Sequence, residues 1–500
     1  MTAIPPSTSH ENNLYDAHGA RALDRYAIQQ CAIPGMQLML HAGRAAFNEL
    51  LARWPHPAHI HVFCGIGNNG GDGFVMAALA KQRGLSVSVW LVGDGVRIQG
   101  DAATARELAI REGVVIEAFA NQSLQEGVIV DALLGTGLSG DVRPQFAAAI
   151  SAINNSGLPV LAVDIPSGLN SDTGCQLGCA VRADVTVTFI GRKQGLYTAD
   201  GPDCCGEIRY ASLDVPAEVF ANVAHSSNLL NLDALPKLLP KRARAAHKGS
   251  FGHVLIVGGD FGTAGAALMA AQAAGRVGAG LVSCATRAEH VPASVARAPE
   301  VMALGVRSGQ ELLPLLERSS VIVIGPGLGQ SAWGEQLLAE VLRSDKPLVV
   351  DADALNLLAS NTREMRRDNW ILTPHPGEAA RLSGVSNAEI QADRFAAAKT
   401  LQQRFGGAVI LKGGGSLVAN ETGVAVVPYG NPGMASGGMG DVLSGVLGGL
   451  LAQGLSLSQA TELGACLHGR AGDLAAEEGG ERGLLATDLL PQLRQLVNAC

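Results

Sequence analysis

Gly65-Ile66-Gly67-Asn68-Asn69-Gly70-Gly71-Asp72-Gly73 lies between the apolar run 59–64 and an amphipathic stretch at 74–83. A short apolar run that ends in glycines and leads into a helical pattern predicts a strand followed by a tight turn and a helix. Backbone N–H groups in such a turn can point at a phosphate, and the helix dipole favours an anion there. We therefore predict an α/β fold with a nucleotide site at this turn; the alternative is a packing turn without a ligand.

The same alternation of short apolar runs and amphipathic stretches continues through most of the chain. The runs lack a two-residue alternation, as expected for strands buried on both faces, so they predict parallel βαβ units. Predicted strands are 59–64, 86–92, 128–131, 159–164 and 184–189, with helices at 74–83, 102–112 and 146–155; after a composition break that follows Ser212, strands are predicted at 254–257, 281–285, 321–324, 348–351, 370–373 and 409–412, with a hairpin at 416–418 and 424–427.

Composition excludes several classes of protein. The chain has 500 residues, which at ~100–200 residues per domain predicts several domains. Its formal net charge of −8 argues against a nucleic-acid-binding protein. The nine cysteines show no zinc-type spacing, which favours free thiols in a reducing compartment. Neither a leader nor an apolar run long enough to cross a membrane is evident in the sequence, so we expect no membrane association and a cytoplasmic protein.

Two further motifs follow predicted strands of the N-terminal half: VDALLGTGLSGD at 130–141 and VDIPSGL at 163–169. Ligands bind outside the carboxyl ends of parallel strands, so Asp131 and Asp164 should converge with the glycine-rich turn. Asp164 is the best-placed proton carrier, although a helix N-cap would also explain it. Asn69, Asp131 and Ser167 offer hard oxygen ligands suited to a singly charged cation.

Together with GRKQGL at 191–196, these motifs resemble the epimerase domain of NAD(P)H-hydrate repair enzymes over about residues 15–215. Leu40 stands where that family commonly has glutamate. The resemblance implies K⁺ at Asn69, Asp131 and Ser167. It also implies that the hydrated dinucleotide contacts Asn68, Asn69, Gly70, Gly71, Asp72, Gly135, Thr136, Gly137, Leu138, Ser139, Gly140, Asp141 and Asp164.

The C-terminal half carries NPGMASGGMGD at 431–441, followed by the apolar stretch 442–451. Consecutive glycine amides at a helix N-terminus form an anion hole. Asp441, predicted as the first helical residue, would point into that hole and exchange a proton with the reacting group. The alternative is an N-capping aspartate without chemistry. His375 lies between two prolines, which aim its ring and make a core position less favoured.

Six motifs of this half resemble, in order, the ADP/ATP-dependent NAD(P)H-hydrate dehydratases, a ribokinase-fold family, over about residues 230–497. They are HKGSFG at 247–252, GPGLG at 325–329, VVDADALN at 349–356, LTPHPGE at 372–378, LKGGG at 411–415 and SGGMGD at 436–441. Met439 stands where the family often has threonine. The resemblance implies hydrate contacts from Ala266, Gly327, His375 and Asp441, nucleotide contacts from Lys412, Gly413, Gly414, Gly415, Ser416 and Gly440, and Mg²⁺ bridging the phosphates.

The sequence thus predicts two tandem three-layer α/β/α domains, the first Rossmann-like at 1–225 and the second ribokinase-like at 226–500. The first would interconvert the R and S forms of hydrated NADH or NADPH, and the second would dehydrate the S form with ADP; we also expect a homo-oligomer. Two alternatives remain: a kinase of a small alcohol, which would release a stable phosphoester, and a first domain that only binds a nucleotide or a partner.

Overall fold

The computed structural model describes residues 10–124, 126–233, 235–360 and 365–498. The chain divides into two compact units, Met1–Asn228 and Leu229–Cys500. The predicted domain boundary lies at 225/226, a few residues before this division. Within the described residues, no helix is long and apolar enough to cross a membrane.

Among its described residues the N-terminal unit has nine strands, seven of which form its central sheet. Its strands are β1 Asn13–Tyr15, β2 Ile60–Cys64, β3 Val87–Leu91, β4 Val115–Ala118, β5 Val128–Ala132, β6 Val160–Val163, β7 Val185–Phe189, β8 Arg192–Lys193 and β9 Glu207–Ala211; its helices are α1 Ala17–Gln29, α2 Gly35–Arg53, α3 Asn68–Gln82, α4 Asp101–Arg111, α5 Pro144–Asn155, α6 Gly201–Cys205 and α7 Ala217–Asn222. The sheet order is β4-β3-β2-β5-β6-β7-β9, and all of its neighbouring strands run parallel.

Helices cover both faces of this sheet. Val62 and Val130 are fully buried in a cluster with side chains of α2, α3 and α4. Phe63 and Ile129, which point the other way, pack with side chains of α5. The predicted three-layer α/β/α architecture is therefore confirmed. The strand order reverses between β2 and β5, and such a reversal opens a crevice at the carboxyl ends of those strands.

The C-terminal unit has its own sheet and more helices. Its strands are β10 Ser227–Leu229, which spans the division between the units, β11 His253–Val257, β12 Leu281–Thr286, β13 Met302–Gly305, β14 Val321–Ile324, β15 Leu348–Val350, β16 Trp370–Leu372, β17 Ala408–Leu411, β18 Leu417–Asn420 and β19 Gly423–Val426; its helices are α8 Leu235–Leu238, α9 Ala264–Arg276, α10 Val291–Arg297, α11 Gly309–Arg318, α12 Ala332–Leu342, α13 Ala352–Ser360, α14 Pro376–Ser383, α15 Asn387–Ala392, α16 Arg394–Phe405, α17 Met439–Ala452, α18 Leu457–Gly479 and α19 Leu489–Leu496.

Strands β13-β12-β11-β14-β15-β16-β17 pair in that order in parallel, and β18 and β19 add the predicted antiparallel hairpin. Val254 and Val323 pack with α9, α17 and α18 on one face. Leu255 and Ile324 on the other face are also fully buried. This half is therefore a second three-layer α/β/α unit, as predicted.

Two predicted helix starts are wrong. Helix α3 begins at Asn68 rather than at residue 74, so the glycine-rich stretch forms its first turns. Helix α17 begins at Met439 after an N-cap at Gly438, so Asp441 is the third helical residue and not the first. Glycine has a low intrinsic helix propensity, so the local sequence did not indicate that these first turns are helical.

Candidate active sites

A cavity of about 600 Å³ opens at the crevice of the N-terminal unit. Its walls come from the first turn of α3, the loop after β5, the loop after β6, and helices α1 and α2. Among the predicted site residues it is lined by Asn68, Asn69, Asp72, Gly135, Thr136, Gly137, Leu138, Ser139, Asp141 and Asp164. The three motifs that follow predicted strands therefore meet around one cavity.

Asp164 forms an ion pair with Lys193 at the cavity wall. The Lys193 ammonium is almost fully buried and also donates to Thr188 Oγ1 and the Phe189 carbonyl, each at 3.2 Å. Asp164 additionally accepts from the Phe189 N–H at 3.1 Å. Its backbone has φ = +66°, a left-handed conformation that asparagine and aspartate tolerate best among residues with a side chain. These contacts fix the carboxylate at one place in the cavity.

Of the other carboxyl groups that line this cavity, Asp72 and Asp24 have raised pKa values. Burial raises the pKa of Asp72 well above its ordinary value, and the charges of Asp164 and Asp24 raise it further. Asp24, on α1, lines the same cavity, and its surroundings raise its pKa to about 6, chiefly by desolvation. Lys193 opposes both shifts. The raised pKa values of Asp72 and Asp24 favour retention of a proton in this cavity near neutral pH.

Asn69, Asp131 and Ser167 lie together behind the loop after β5. Asp131 is fully buried and accepts from Ser167 Oγ at 2.6 Å and from the Ser167 N–H at 2.8 Å. Burial raises the pKa of Asp131 to about 6. Asn69 Nδ2 donates to the Leu134 carbonyl at 3.1 Å, while its Oδ1 is buried with no hydrogen-bond donor. Asn69 and Ser167 both donate to the Leu134 carbonyl, and Ser167 in turn bonds Asp131. This group of oxygens, which includes the unpaired amide oxygen of Asn69, fits a monovalent cation.

The glycines of the α3 turn serve packing. A side chain at Gly70 would lie 2.1 Å from the Gly65 carbonyl oxygen, and one at Gly71 would lie 2.6 Å from the Met39 sulfur. Neither Gly70 nor Gly71 is among the residues that line the cavity, nor is Gly140, which has φ = +72° in the loop after β5. Direct substrate contact by these three glycines remains a prediction.

In the C-terminal unit, Lys412, after β17, pairs with a buried carboxylate. Its Nζ lies 2.8 Å from Asp351 Oδ1 and 3.9 Å from Glu378 Oε2. Ser444 Oγ on α17 donates to Asp351 Oδ2 at 2.7 Å. Burial opposes ionisation of Asp351, but Lys412 and the hydrogen bonds outweigh it and lower its pKa. Lys412 directly follows strand β17, as predicted. Its ammonium is already bound to protein carboxylates.

Gly440 lies directly against this ion pair. A side chain built at Gly440 would start 3.1 Å from Lys412 Nζ. Asp441, one residue on, has its pKa raised to about 7, first by burial and then by the charge of Asp351, while Lys412 opposes the shift. A carboxyl group that titrates near neutral pH can both accept and release a proton.

His375 caps helix α14 with its side chain. Its Nδ1 accepts from the Gly377 N–H at 3.0 Å and from the Glu378 N–H at 3.4 Å. The Glu378 carboxylate in turn accepts from the His375 N–H at 2.7 Å. Burial raises the pKa of Glu378 to about 7. Because Nδ1 is an acceptor, the neutral ring carries its proton on Nε2, which lies 3.4 Å from Glu378 Oε1.

The loop after β11 joins the remaining predicted hydrate contacts. The Gly327 carbonyl accepts from Thr263 Oγ1 at 2.9 Å and from the Asp260 N–H at 2.6 Å. The Ala266 N–H, in the first turn of α9, donates to the Thr263 carbonyl at 3.2 Å. Hydrogen bonds thus connect Ala266 and Gly327 through Thr263.

The glycine loop 413–416, which holds most of the predicted nucleotide contacts, closes on itself. Its Ser416 Oγ accepts from the Gly413 N–H at 3.3 Å.

Sequence reasoning missed several contributors. It gave no role to Lys193, although this residue lies in the GRKQGL motif, and none to Asp24 or Ser444, which lie in no motif. It also missed His468 on α18, which donates from Nε2 to the Met439 carbonyl at 2.9 Å and whose pKa burial lowers to about 4. A neutral histidine at this place holds the first turn of α17.

Comparisons with known proteins agree with both halves. The family model described as NAD(P)H-hydrate dehydratase matches residues 254–495, and that described as YjeF-related protein N-terminus matches residues 35–195. A bifunctional NAD(P)H-hydrate repair enzyme of Coxiella burnetii is 52% identical over 97% of this chain and 99% of its own length. The bifunctional NAD(P)H-hydrate repair enzyme of Escherichia coli K12 is 43% identical over 100% of this chain and 96% of its own length.

Among solved structures, a ribokinase-like superfamily protein of Enterococcus faecalis V583 is 30% identical with a TM-score of 0.50, covering 54% of this chain and 95% of its own. Its likeness confirms the ribokinase-like fold predicted for the C-terminal unit. The near full-length identity to two bifunctional relatives, with a family model on each half, shows that the chain belongs to the bifunctional NAD(P)H-hydrate repair enzymes.

Proposed function

We propose that the N-terminal unit epimerises the R and S forms of hydrated NADH and NADPH, and that the C-terminal unit dehydrates the S form with ADP, releasing AMP and phosphate. The observation that carries this proposal is the full-length likeness to bifunctional relatives, combined with polar clusters at the predicted motifs of both units. Asp164 and Asp441 are the proposed proton carriers.

Epimerisation requires inversion at one ring carbon. That carbon bears the added hydroxyl and is bonded to the ring nitrogen, whose lone pair can expel water once the hydroxyl is protonated. Water then returns to the opposite face, and the proton released goes back to the protein. Asp164, held by Lys193, can accept this proton, and the raised pKa of Asp72 suits it to supply one.

Dehydration requires a better leaving group than hydroxide. In the proposed sequence the substrate hydroxyl attacks the terminal phosphorus of ADP, its proton passes to Asp441, and AMP leaves. The ring nitrogen then expels phosphate, and a proton is lost from the neighbouring ring carbon, which restores the double bond. The pKa of Asp441, about 7, suits both acceptance and release.

Cations are part of the proposal in different ways. Asn69, Asp131 and Ser167 would bind K⁺, which would supply a fixed positive charge beside the loop after β5. On the C-terminal unit, Asp351 is already bound to Lys412 and Ser444, so Mg²⁺ would be bound mainly by the nucleotide phosphates and water. The protein side chains near Asp441 then orient the substrate and the nucleotide.

The decisive experiment incubates the full-length protein with a mixture of both hydrate epimers and either ADP or ATP. We expect restored absorbance of the reduced nicotinamide, one phosphate released per molecule repaired, and faster turnover with ADP. A stable phosphoester without restored absorbance would identify a small-alcohol kinase instead. Homo-oligomerisation and a cytoplasmic location remain predictions, which light scattering and cell fractionation would test.

A further inference from the structure

Phe261 is an exposed aromatic side chain in the loop after β11. It is 61% exposed, although the residues before it are buried. Large apolar side chains on a rigid loop at the carboxyl end of a parallel strand are candidates for ligand contact. The reaction proposed for this unit leaves Phe261 without a role.

The environment of Phe261 fixes its ring. The Arg287 guanidinium lies 4.8 Å from the centre of the Phe261 ring and 4.3 Å from that of Trp333. Asp260 holds Arg287 through a 2.7 Å contact from Nε and is itself bound by Ser331 Oγ at 3.0 Å. The ring of His290 meets that of Phe261 edge-on at 5.7 Å.

The Arg287 guanidinium lies over one face of the Phe261 ring, and the His290 ring meets it nearly at right angles. These contacts hold the ring in one orientation and still leave the side chain 61% exposed. An aromatic ring that is ordered before binding loses little side-chain entropy when a second planar group stacks on it. The structure thus has the features of a stacking platform.

The loop that carries Phe261 also connects the predicted hydrate contacts. The Asp260 N–H donates to the Gly327 carbonyl at 2.6 Å, and Thr263 bridges Gly327 and Ala266. The predicted ADP contacts, in contrast, come from the loop after β17 and from Gly440. A planar group stacked on Phe261 would belong to the dinucleotide rather than to ADP.

We infer that the exposed ring of Phe261 stacks on a planar ring of the hydrated dinucleotide, and that Arg287 holds Phe261 in the stacking orientation. This inference rests on the proposed function, because it assigns a binding residue for the dehydratase substrate. Phe261 would be a specificity residue that recognises a base or nicotinamide ring by shape and not by hydrogen bonds.

The test compares Phe261→Ala, Phe261→Tyr and the control Val385→Ala, which removes another exposed apolar side chain of the same unit. Loss of stacking on one base reduces affinity roughly 5- to 150-fold. We expect Phe261→Ala to raise the KM for the S hydrate within that range, with kcat and the Kd for ADP little changed. Phe261→Tyr and Val385→Ala should keep the normal KM.

Three outcomes would overturn the inference while the unaltered protein remains active. They are an unchanged KM for Phe261→Ala, an equal rise in the Kd for ADP, or a loss of activity that follows a change of oligomeric state in light scattering. If the unaltered protein itself restored no nicotinamide absorbance, the proposed function would fail instead, and the two failures are therefore distinguishable.

Discussion

Replacing Asp441 with asparagine should abolish dehydration and at the same time stabilise the fold at alkaline pH. The amide keeps the size of the side chain but cannot accept the substrate proton. Loss of a general base typically costs ~10²–10⁴-fold in rate. Epimerisation should continue at the normal rate, because Asp164 lies in the other unit.

The stability effect follows from the pKa of Asp441, which rises from its ordinary 3.8 to about 7 in the folded protein. Well below pH 3.8 the group is protonated in both folded and unfolded chains, so it does not change the free energy of unfolding. As the pH rises to 7 the unfolded chain ionises first, and the fold loses stability. The full difference between the two pKa values corresponds to roughly 4 kcal/mol in the free energy of unfolding. After solvent screening we expect about 2 kcal/mol of this effect.

The assay is thermal unfolding of the unaltered protein and of Asp441→Asn at several pH values, alongside dehydratase turnover. A gain of about 2 kcal/mol corresponds to a rise in Tm of roughly 4–8 °C. We expect that full rise at pH 8, roughly a third of it at pH 5 and little difference at pH 3. A variant less stable at pH 8, or one with near-normal dehydration, would refute the reasoning. Asp164→Asn serves as the reciprocal control, since it should lose only epimerisation.

Three other predictions concern binding and the first site. Gly440→Val should weaken ADP binding in calorimetry, because its side chain would press on Lys412 Nζ. Lys412→Ala should also weaken ADP binding. It should in addition destabilise the fold by ~3–5 kcal/mol, because it leaves a buried carboxylate unpaired. Asp164→Ala should leave the R hydrate unconsumed on chromatography while the S form is still repaired; consumption at the normal rate would make Asp164 structural. Asn69→Ala should weaken the stimulation of epimerisation by K⁺ relative to Na⁺, because it removes one of the proposed ligands; stimulation that is unchanged would place the cation elsewhere.

The central strands could be predicted from sequence because each is buried on both faces and reads as a continuous apolar run. Val321–Ile324 is the clearest case, with predicted and observed bounds the same. Strands β4 and β13 were missed because each has only four residues and most of its side chains are exposed. Their position follows from pairing with β3 and β12, which local sequence does not encode.

The positions of the site motifs were predictable, but their internal partnerships were not. Glycine-rich turns after apolar runs mark where the carboxyl ends of strands meet, and the motifs around Asp164 line one cavity. The ion pair of Asp164 with Lys193 depends on how the chain returns after β7. The hydrogen bond from Ser444 Oγ to Asp351 Oδ2, 2.7 Å long, likewise joins residues that are far apart in sequence.

The glycines in the first turn of α3 have a consequence for how related sequences are interpreted. Gly70 is required because any side chain would collide with the Gly65 backbone, whether or not the unit is an active enzyme. A relative that had lost epimerase activity would keep these glycines as long as it kept the fold. Asn69 and Asp72, whose polar atoms serve the cavity, would be free to change. The polar members of the motif are therefore the better markers of a working enzyme.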